Sequence, residues 1–344
     1  MNRLKAACIN YIKLQHEAAS LLPRPSAISS ITLAGAIILL VPCPSQSQQI
    51  VREAVSSFPN DTQQLTYANL DQMRSLSNYP QMRQRLFTSQ LRSFEDFLRS
   101  TGNDPEKDVD EVVLGTRVQD ATGGGSLGGI FGVAQGRFQP DEAQQYYARA
   151  KLPTSEHNNQ RLYGFGSSEE RSQLFFTFLS GSLAAFGRLS DLKAMLDARA
   201  GTRPTLQSNS AFQIWEAELE GSGPQWGVAT GKAAAAQASQ FLASGIKLPL
   251  DLSLLLSPVQ AVLYRFDFGS DVSAQISIVC QNLETAAALE RVITAWRDSQ
   301  RSATSADTPP ELFSLLQHLE ISASGSRVEV SGSAPLSLIG PPNH

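Results

Sequence analysis

The sequence has few of the residues that most often build metal sites and disulfide frameworks. It contains three cysteines and four histidines in 344 residues. Cys8 and Cys43 lie near the N-terminus, so Cys280 has no second cysteine in the rest of the chain. A zinc site needs about four such ligands close together, and a disulfide framework needs several cysteine pairs. The sequence therefore predicts no disulfide framework, and it assigns no catalytic, cofactor-binding or metal-ligating residue.

An excess of positive charge is also absent. The chain has 28 lysines and arginines against 32 acidic residues, for a net charge of −4. Proteins that bind nucleic acid usually carry a basic patch or a strongly basic domain. We therefore expect no nucleic-acid partner. Since 42% of the residues are apolar, the chain can bury a sizeable core in one large or two medium domains.

The sequence has one mostly apolar segment near its N-terminus, from Ile28 to Val41, and it is shorter than the roughly 20 residues of a membrane span. Basic residues precede it, and prolines and small polar residues follow it, which is typical of a secretory signal peptide. We expect residues 1–47 to be a signal peptide or a membrane anchor. Cys43 stands where a bacterial lipoprotein signal has its acylated cysteine, although Pro42 departs from that pattern. The predicted location is outside the cytoplasm, either periplasmic or anchored to the cell envelope membrane.

The most regular pattern in the chain predicts a strand followed directly by a helix. Apolar and polar residues alternate from Val272 to Cys280, as in a strand with one buried face. Asn282 then has a side chain suited to cap a helix. After it, Ala286, Leu289 and Ile293 recur at helical spacing. Cys280 falls on the buried face of this strand, where we expect a small apolar core residue.

Looser versions of this unit recur along the chain, with strands and helices interleaved and a short hairpin near Gly325. This order predicts an α+β fold of mostly antiparallel sheet with packed helices. We expect two lobes, at residues 48–245 and 259–344, joined by a proline-containing connection at 246–258. The recurrence hints at an internal duplication, although the two halves share few identical residues.

The glycine-rich stretch from Gly123 to Gly129 matches two motifs. Gly123, Gly125 and Gly128 have the spacing of a dinucleotide fingerprint, which needs a helix directly after the loop. Ser126 lies in a G-x-S-x-G sequence, the nucleophile elbow of hydrolases. A strand is predicted after the loop in place of a helix, so a surface hairpin loop is the preferred interpretation.

Two further patterns have a structural and a functional interpretation. Ser190 and Lys193 form an S-x-x-K sequence, but without its partner motifs we interpret Ser190 as a helix cap. A group of aromatic residues could line an apolar pocket, although such residues more often build the core. These aromatics are Tyr146, Tyr147, Tyr163, Phe165, Phe175, Phe176 and Phe178.

Several segments together resemble a loosely defined group of uncharacterised exported or lipoprotein-like bacterial proteins with repeated α+β units. The segments that carry the resemblance are 65–70, 104–110, 184–201, 226–228 and 272–296. The resemblance implies an α+β fold and an envelope location, and it implies no activity.

Three functions remain open at this stage. The first is a non-catalytic envelope protein, exported or membrane-anchored, that acts as a scaffold or binds an unknown protein partner. The second is a binder of a small molecule or lipid that uses an apolar cleft between the lobes. The third and least favoured is a hydrolase with Ser126 as its nucleophile.

Overall fold

The computed structural model describes residues 46–76, 79–80, 89–118, 127–166, 173–219, 221–243, 253–302 and 318–335. The chain divides into residues 1–43 and residues 44–344, and the described residues all belong to the second unit. The helices are α1 (Gln46–Ser57), α2 (Leu70–Arg74), α3 (Ser89–Ser100), α4 (Pro105–Asp108), α5 (Pro140–Ala150), α6 (Leu189–Arg199), α7 (Ser210–Ala217), α8 (Gly231–Ala243), α9 (Ser253–Leu256) and α10 (Leu283–Ser302). The strands are β1 (Thr62–Asn69), β2 (Val109–Val118), β3 (Leu127–Gly136), β4 (Thr154–His157), β5 (Gln160–Gly164), β6 (Leu174–Ser180), β7 (Leu183–Arg188), β8 (Gln225–Thr230), β9 (Val259–Phe268), β10 (Asp271–Cys280), β11 (Glu320–Ser324) and β12 (Arg327–Pro335).

These strands form one antiparallel sheet in the order β11-β12-β10-β9-β8-β1-β2-β3-β7-β6-β5-β4. The predicted α+β class with antiparallel sheet is confirmed. The two predicted lobes are not shown, because Val228 of β8 pairs with Leu263 of β9 and the sheet continues from one predicted lobe into the other. Part of the predicted connection, residues 246–252, lies outside the described residues. The predicted domain limits themselves stay a prediction.

The strand and helix at residues 272–296 form as predicted. The Asn282 side-chain oxygen accepts a hydrogen bond of 2.9 Å from the Thr285 backbone N–H and so caps α10. Cys280 is 1% exposed and packs in a core cluster with Ala286 and Ile293, which confirms its expected role as a core residue.

Other sequence predictions need correction. Helix α6 begins at Leu189 with Arg188 at the N-cap, so Ser190 lies in the first turn and is not the cap. Helix α10 continues to Ser302, beyond the apolar residues that predicted it. The sequence analysis also missed α7 and β4, which are short and lack a clear apolar period because each is only partly buried.

Each face of the sheet is defined by strand register, because directly opposite residues in an antiparallel pair point to the same side. We call one side the Leu65 face. Leu65 lies opposite Gly115 of β2 and Val228 of β8. Helices α1 and α6 cover this face, and their residues Ile50 and Leu192, both 0% exposed, share a core cluster with Leu65.

The other side, the Thr66 face, is covered by two separate groups of helices. Over one half of the sheet, α2, α3 and α5 form a core cluster that includes Met73, Phe94 and Tyr147. Over the other half, α8, α9 and α10 form a cluster that includes Ala234 and Leu289. Helix α8 of this second group contacts β8 and β1, the two strands of the seam.

The strand order repeats on the two sides of this seam. Reading outward, one side runs β1-β2-β3-β7-β6 and the other runs β8-β9-β10-β12-β11, with the hairpin β4–β5 added to the first. Both sides carry a helical segment on the Thr66 face after their first strand and another after their third strand. The fold therefore contains two repeats related by an approximate two-fold axis through the seam. This repeated topology supports the duplication at which the sequence hints.

Register fixes which residues correspond between the repeats. Thr66 lies opposite Gly227 at the centre of the seam. Leu114 lies opposite Thr66, and Tyr264 lies opposite Gly227, so Leu114 and Tyr264 are equivalent. By the same counting, Gln64, which lies opposite Ala229, is equivalent to Gln225, which lies opposite Ala68.

Candidate ligand cavity

An apolar cavity lies on the Thr66 face, between the sheet and helices α2 and α3, at the edge of the seam. The centre of a water molecule can move through about 70 Å³ of it, several times the roughly 10–15 Å³ that one water needs. The residues that line it are Thr66, Ala68, Leu70, Met73, Phe94, Glu95, Val109, Val112, Leu114 and Gln225. Most of the wall is thus made of aliphatic side chains from β1, α2 and β2.

The short helix α2 forms one side of the cavity. Its N-cap is Asn69, whose side-chain oxygen accepts a hydrogen bond of 2.8 Å from the Gln72 backbone N–H. This cap ends β1 and turns the chain over the Thr66 face. As a result Leu70 and Met73, which are 4% and 2% exposed, face the sheet.

Phe94 of helix α3 lines the side of the cavity that faces the sheet. The Phe94 ring is 3% exposed and stacks on Phe186 of β7 with 4.6 Å between ring centroids. It also meets Phe165 edge to face at 5.8 Å. These contacts fix the ring, because aromatic pairs in such arrangements stabilise each other by about 0.5–1.5 kcal/mol beyond simple burial.

Three polar side chains reach the cavity wall. The Thr66 hydroxyl lies 2.6 Å from the Tyr264 hydroxyl, so these two groups hydrogen-bond to each other. Glu95 is 8% exposed and brings a carboxyl group to the wall. The Gln225 side-chain oxygen Oε1 is buried and has no hydrogen-bond partner among the residues that the structure describes. A buried polar atom without a partner costs about 1–3 kcal/mol, so Gln225 stands out as a group that a ligand could satisfy.

The equivalent place in the second repeat is filled by the protein itself. Tyr264 is buried there, and its ring lies against Gly227, where an added Cβ would come within 2.3 Å of the phenol oxygen. Phe241 of α8 packs edge to face on this ring at 5.3 Å. Burial raises the pKa of Tyr264, and hydrogen bonds with Thr66 and Gln64 partly oppose the shift. The first repeat has the shorter Leu114 at this position, which leaves room for the cavity.

A second depression lies on the Leu65 face of the second repeat and is polar. Arg327 donates two hydrogen bonds to Glu218, at 2.9 and 3.1 Å, and lies 5.6 Å from the Trp215 ring centroid. Nearby, Ser277 donates to Glu329 at 2.8 Å. In the first repeat the positions equivalent to Ser277 and Glu329 are Val133 and Ala185, which lie under α1 and α6. In the second repeat, polar side chains thus occupy the sheet positions that α1 and α6 cover in the first repeat.

The residues singled out from the sequence do not come together in this cavity. Ser126, most of its glycine-rich loop and Cys43 lie outside the described residues. Five of the seven predicted aromatics are buried in the two cores and none lines the cavity, so the core interpretation holds for them: Tyr147, Tyr163, Phe165, Phe175 and Phe176.

Within the described residues, no group of three or more histidine, cysteine or acidic side chains is placed to hold a metal ion. The sequence analysis missed Thr66 and Gln225, because each looks like an ordinary polar residue of a half-buried strand.

Together the fold and the cavity define the chain as an α+β protein with helices on both faces of one antiparallel sheet and an apolar cavity beside its seam. No helix in the described part of the chain is long and apolar enough to cross a membrane. No family model matches the chain, and no curated protein matches it.

Three of the solved structures that resemble the chain are crystal forms I, III and IV of the protein TP0453. Their TM-scores are 0.48, 0.46 and 0.43, with sequence identities of 10%, 9% and 9%. The alignments cover 83%, 82% and 83% of this chain and 97%, 94% and 93% of the TP0453 chains. The likeness is too distant to carry a function from that protein to this chain.

Proposed function

We propose that this protein binds a small, largely apolar ligand in the cavity beside the seam. The observation that carries the proposal is an apolar cavity whose wall includes a buried amide oxygen, Gln225 Oε1, that no described residue hydrogen-bonds. Ligand sites in proteins are commonly apolar pockets with a few placed polar groups. The described residues that line the cavity include no histidine, cysteine or lysine, which favours binding over catalysis.

The ligand-binding role is one of the two non-catalytic roles left open by the sequence, and the cavity favours it over a pure scaffold. We further propose that the protein acts outside the cytoplasm, periplasmic or attached to the envelope membrane through its N-terminal segment. The support for this location is the order of basic, apolar and small polar residues in positions 1–47. The intact mass of the chain recovered from cell fractions tests it: a full-length chain in the cytosol would contradict export.

Binding can be tested with two small probes of similar shape, p-xylene and p-cresol, added to the full chain. We expect ligand-observed NMR to detect at least one probe bound. Ala68→Leu should abolish the signal, because Ala68 lines the cavity and the larger side chain would fill it. A matched control is Ala148→Leu on the exposed side of α5, which should bind the probe as the natural chain does.

The stability of the same variants keeps this test interpretable. We expect the leucine of Ala68→Leu to fit the cavity without strain, so the melting temperature of this variant should equal or exceed that of the natural chain. A lower melting temperature would mean that the leucine overpacks the site. If neither probe binds to the natural chain, and native mass spectrometry of protein from its own cells finds no bound molecule, the proposal is wrong. Probe binding that Ala68→Leu leaves unchanged would also contradict it.

A further inference from the structure

We infer that the cavity ligand carries a phenol-like end, an aromatic ring with a hydroxyl group that donates a hydrogen bond to Gln225. This inference rests on the proposed function and names the chemistry of its ligand. It comes from comparing the two repeats, since the second repeat fills the equivalent place with a residue of its own.

The first step is the identity of the filling group. In the second repeat the side chain at the central position of the second strand is Tyr264, a phenol that crosses Gly227 and reaches the Thr66 hydroxyl at 2.6 Å. In the first repeat the equivalent residue is Leu114, which lines the cavity. Leucine lacks the ring and hydroxyl that tyrosine has, so the missing volume and the missing polar group are those of a phenol.

The second step is the polar partner. The Gln64 side chain lowers the pKa of Tyr264, against the rise caused by burial, so this amide lies beside the phenol oxygen. Gln64 is further satisfied by donating to Gln237 of α8 at 2.9 Å and by accepting from Thr116 at 3.3 Å. Its equivalent Gln225 lies on the cavity wall, and within the described part of the chain its buried Oε1 has no partner. A ligand hydroxyl at this place would supply the donor that Gln225 Oε1 lacks.

The third step is the surface that would receive the ring. In the second repeat Phe241 meets the Tyr264 ring edge to face. In the first repeat Phe94 of α3 lines the cavity, and its ring can meet a ligand ring edge to face. One difference matters for the pose: Thr66 stands where the second repeat has Gly227, so a ligand ring must lie farther from the strand than the Tyr264 ring does.

The inference is tested by the preference between p-cresol and p-xylene, which differ by a hydroxyl in place of a methyl group. We expect the natural chain to bind p-cresol about tenfold more tightly, the effect of one buried hydrogen bond. Gln225→Met keeps the length of the side chain and removes the acceptor. It should lose the preference by weakening p-cresol binding while p-xylene binding is retained or improved. Gln213→Met, at an exposed position of α7, is the matched control.

The outcomes separate this inference from the proposed function. If both probes bind equally and Gln225→Met changes neither, the cavity is a ligand site but the phenol inference is wrong. If neither probe binds and no molecule co-purifies, the proposed function fails as well. Isothermal titration calorimetry of each of the three chains with each of the two probes gives the ratio of affinities directly. Far-ultraviolet circular dichroism checks that Gln225→Met is folded.

Discussion

Gln64 and Gln225 occupy equivalent positions on the two sides of the seam, yet the hydrogen bonds of their side-chain amides differ. Gln64 donates to Gln237 at 2.9 Å and accepts from Thr116. Gln225 has a buried oxygen beside the cavity that accepts no hydrogen bond from the described residues. The approximate two-fold symmetry of the fold is thus broken at the place where a ligand would sit.

This asymmetry predicts opposite effects of the same substitution. Gln64→Met leaves Gln237 without its partner, so we expect the free energy of unfolding to fall by about 1–2 kcal/mol. Gln225→Met removes a polar atom that has no partner, so in the ligand-free protein it should be neutral or slightly stabilising. Urea unfolding of both variants measures the difference. An equal loss in the two variants would show that Gln225 has a partner in solution and would weaken the ligand assignment.

The Glu111 carboxyl group predicts a pH dependence of stability. It is 4% exposed on the Leu65 face, and burial raises its pKa above the ordinary value of 4.5, while a 2.6 Å hydrogen bond from Tyr67 partly opposes the shift. The folded chain therefore holds this proton more tightly than the unfolded chain. The free energy of unfolding should fall as the pH rises from about 4.5 through the raised pKa.

Glu111→Gln removes this proton equilibrium and can still accept the hydrogen bond from Tyr67. We expect its stability advantage over the natural chain to grow with pH through that window and then stay constant. Urea titrations at a series of pH values between about 4 and 8 measure it, with Glu156→Gln at an exposed position of β4 as the control. A gap between Glu111→Gln and the natural chain that does not change with pH would show that Glu111 is not protonated more readily in the fold.

The Asp191 carboxylate forms an ion pair with the Arg117 guanidinium. Asp191 is 1% exposed in the first turn of α6, and Arg117 of β2 reaches it at 3.2 Å. Burial raises the pKa of Asp191, and the Arg117 guanidinium partly opposes this shift. Removing one partner of a buried pair leaves the other charge unpaired, which costs about 3 kcal/mol or more. We therefore expect Arg117→Met to lower the free energy of unfolding by about 3 kcal/mol.

A second substitution separates charge from packing in this case. Asp191→Asn in the Arg117→Met background removes the unpaired charge and should restore part of the loss. Arg149→Met, at an exposed position of α5, is the control and should change stability by less than about 0.5 kcal/mol. Urea unfolding gives all three values. A loss in Arg117→Met no larger than in this control would mean that Asp191 does not need its partner.

Much of the secondary structure could be predicted because its signals are local. The alternation from Val272 to Cys280 and the cap at Asn282 depend on residues that are neighbours in sequence, and both are confirmed. The β4 strand and α7 gave no such signal, since each is short and partly exposed. Ser190 was misread because a serine near a helix start fits a cap equally well one or two positions away.

The sequence by itself determined the class of fold, the buried role of Cys280 and the aromatic core. The spacing of apolar residues along the chain indicates which segments are strands or helices and which residues are buried. Only the tertiary structure decided that both halves share one sheet and that Gln225 and Leu114 border a cavity. The reason is that strand pairing joins residues such as Ala68 and Gln225, which lie far apart in the chain, whereas periodicity reports only on residues that are neighbours in sequence. The cavity also depends on a difference between the repeats, Leu114 against Tyr264, that becomes visible only once the register shows the two residues to be equivalent.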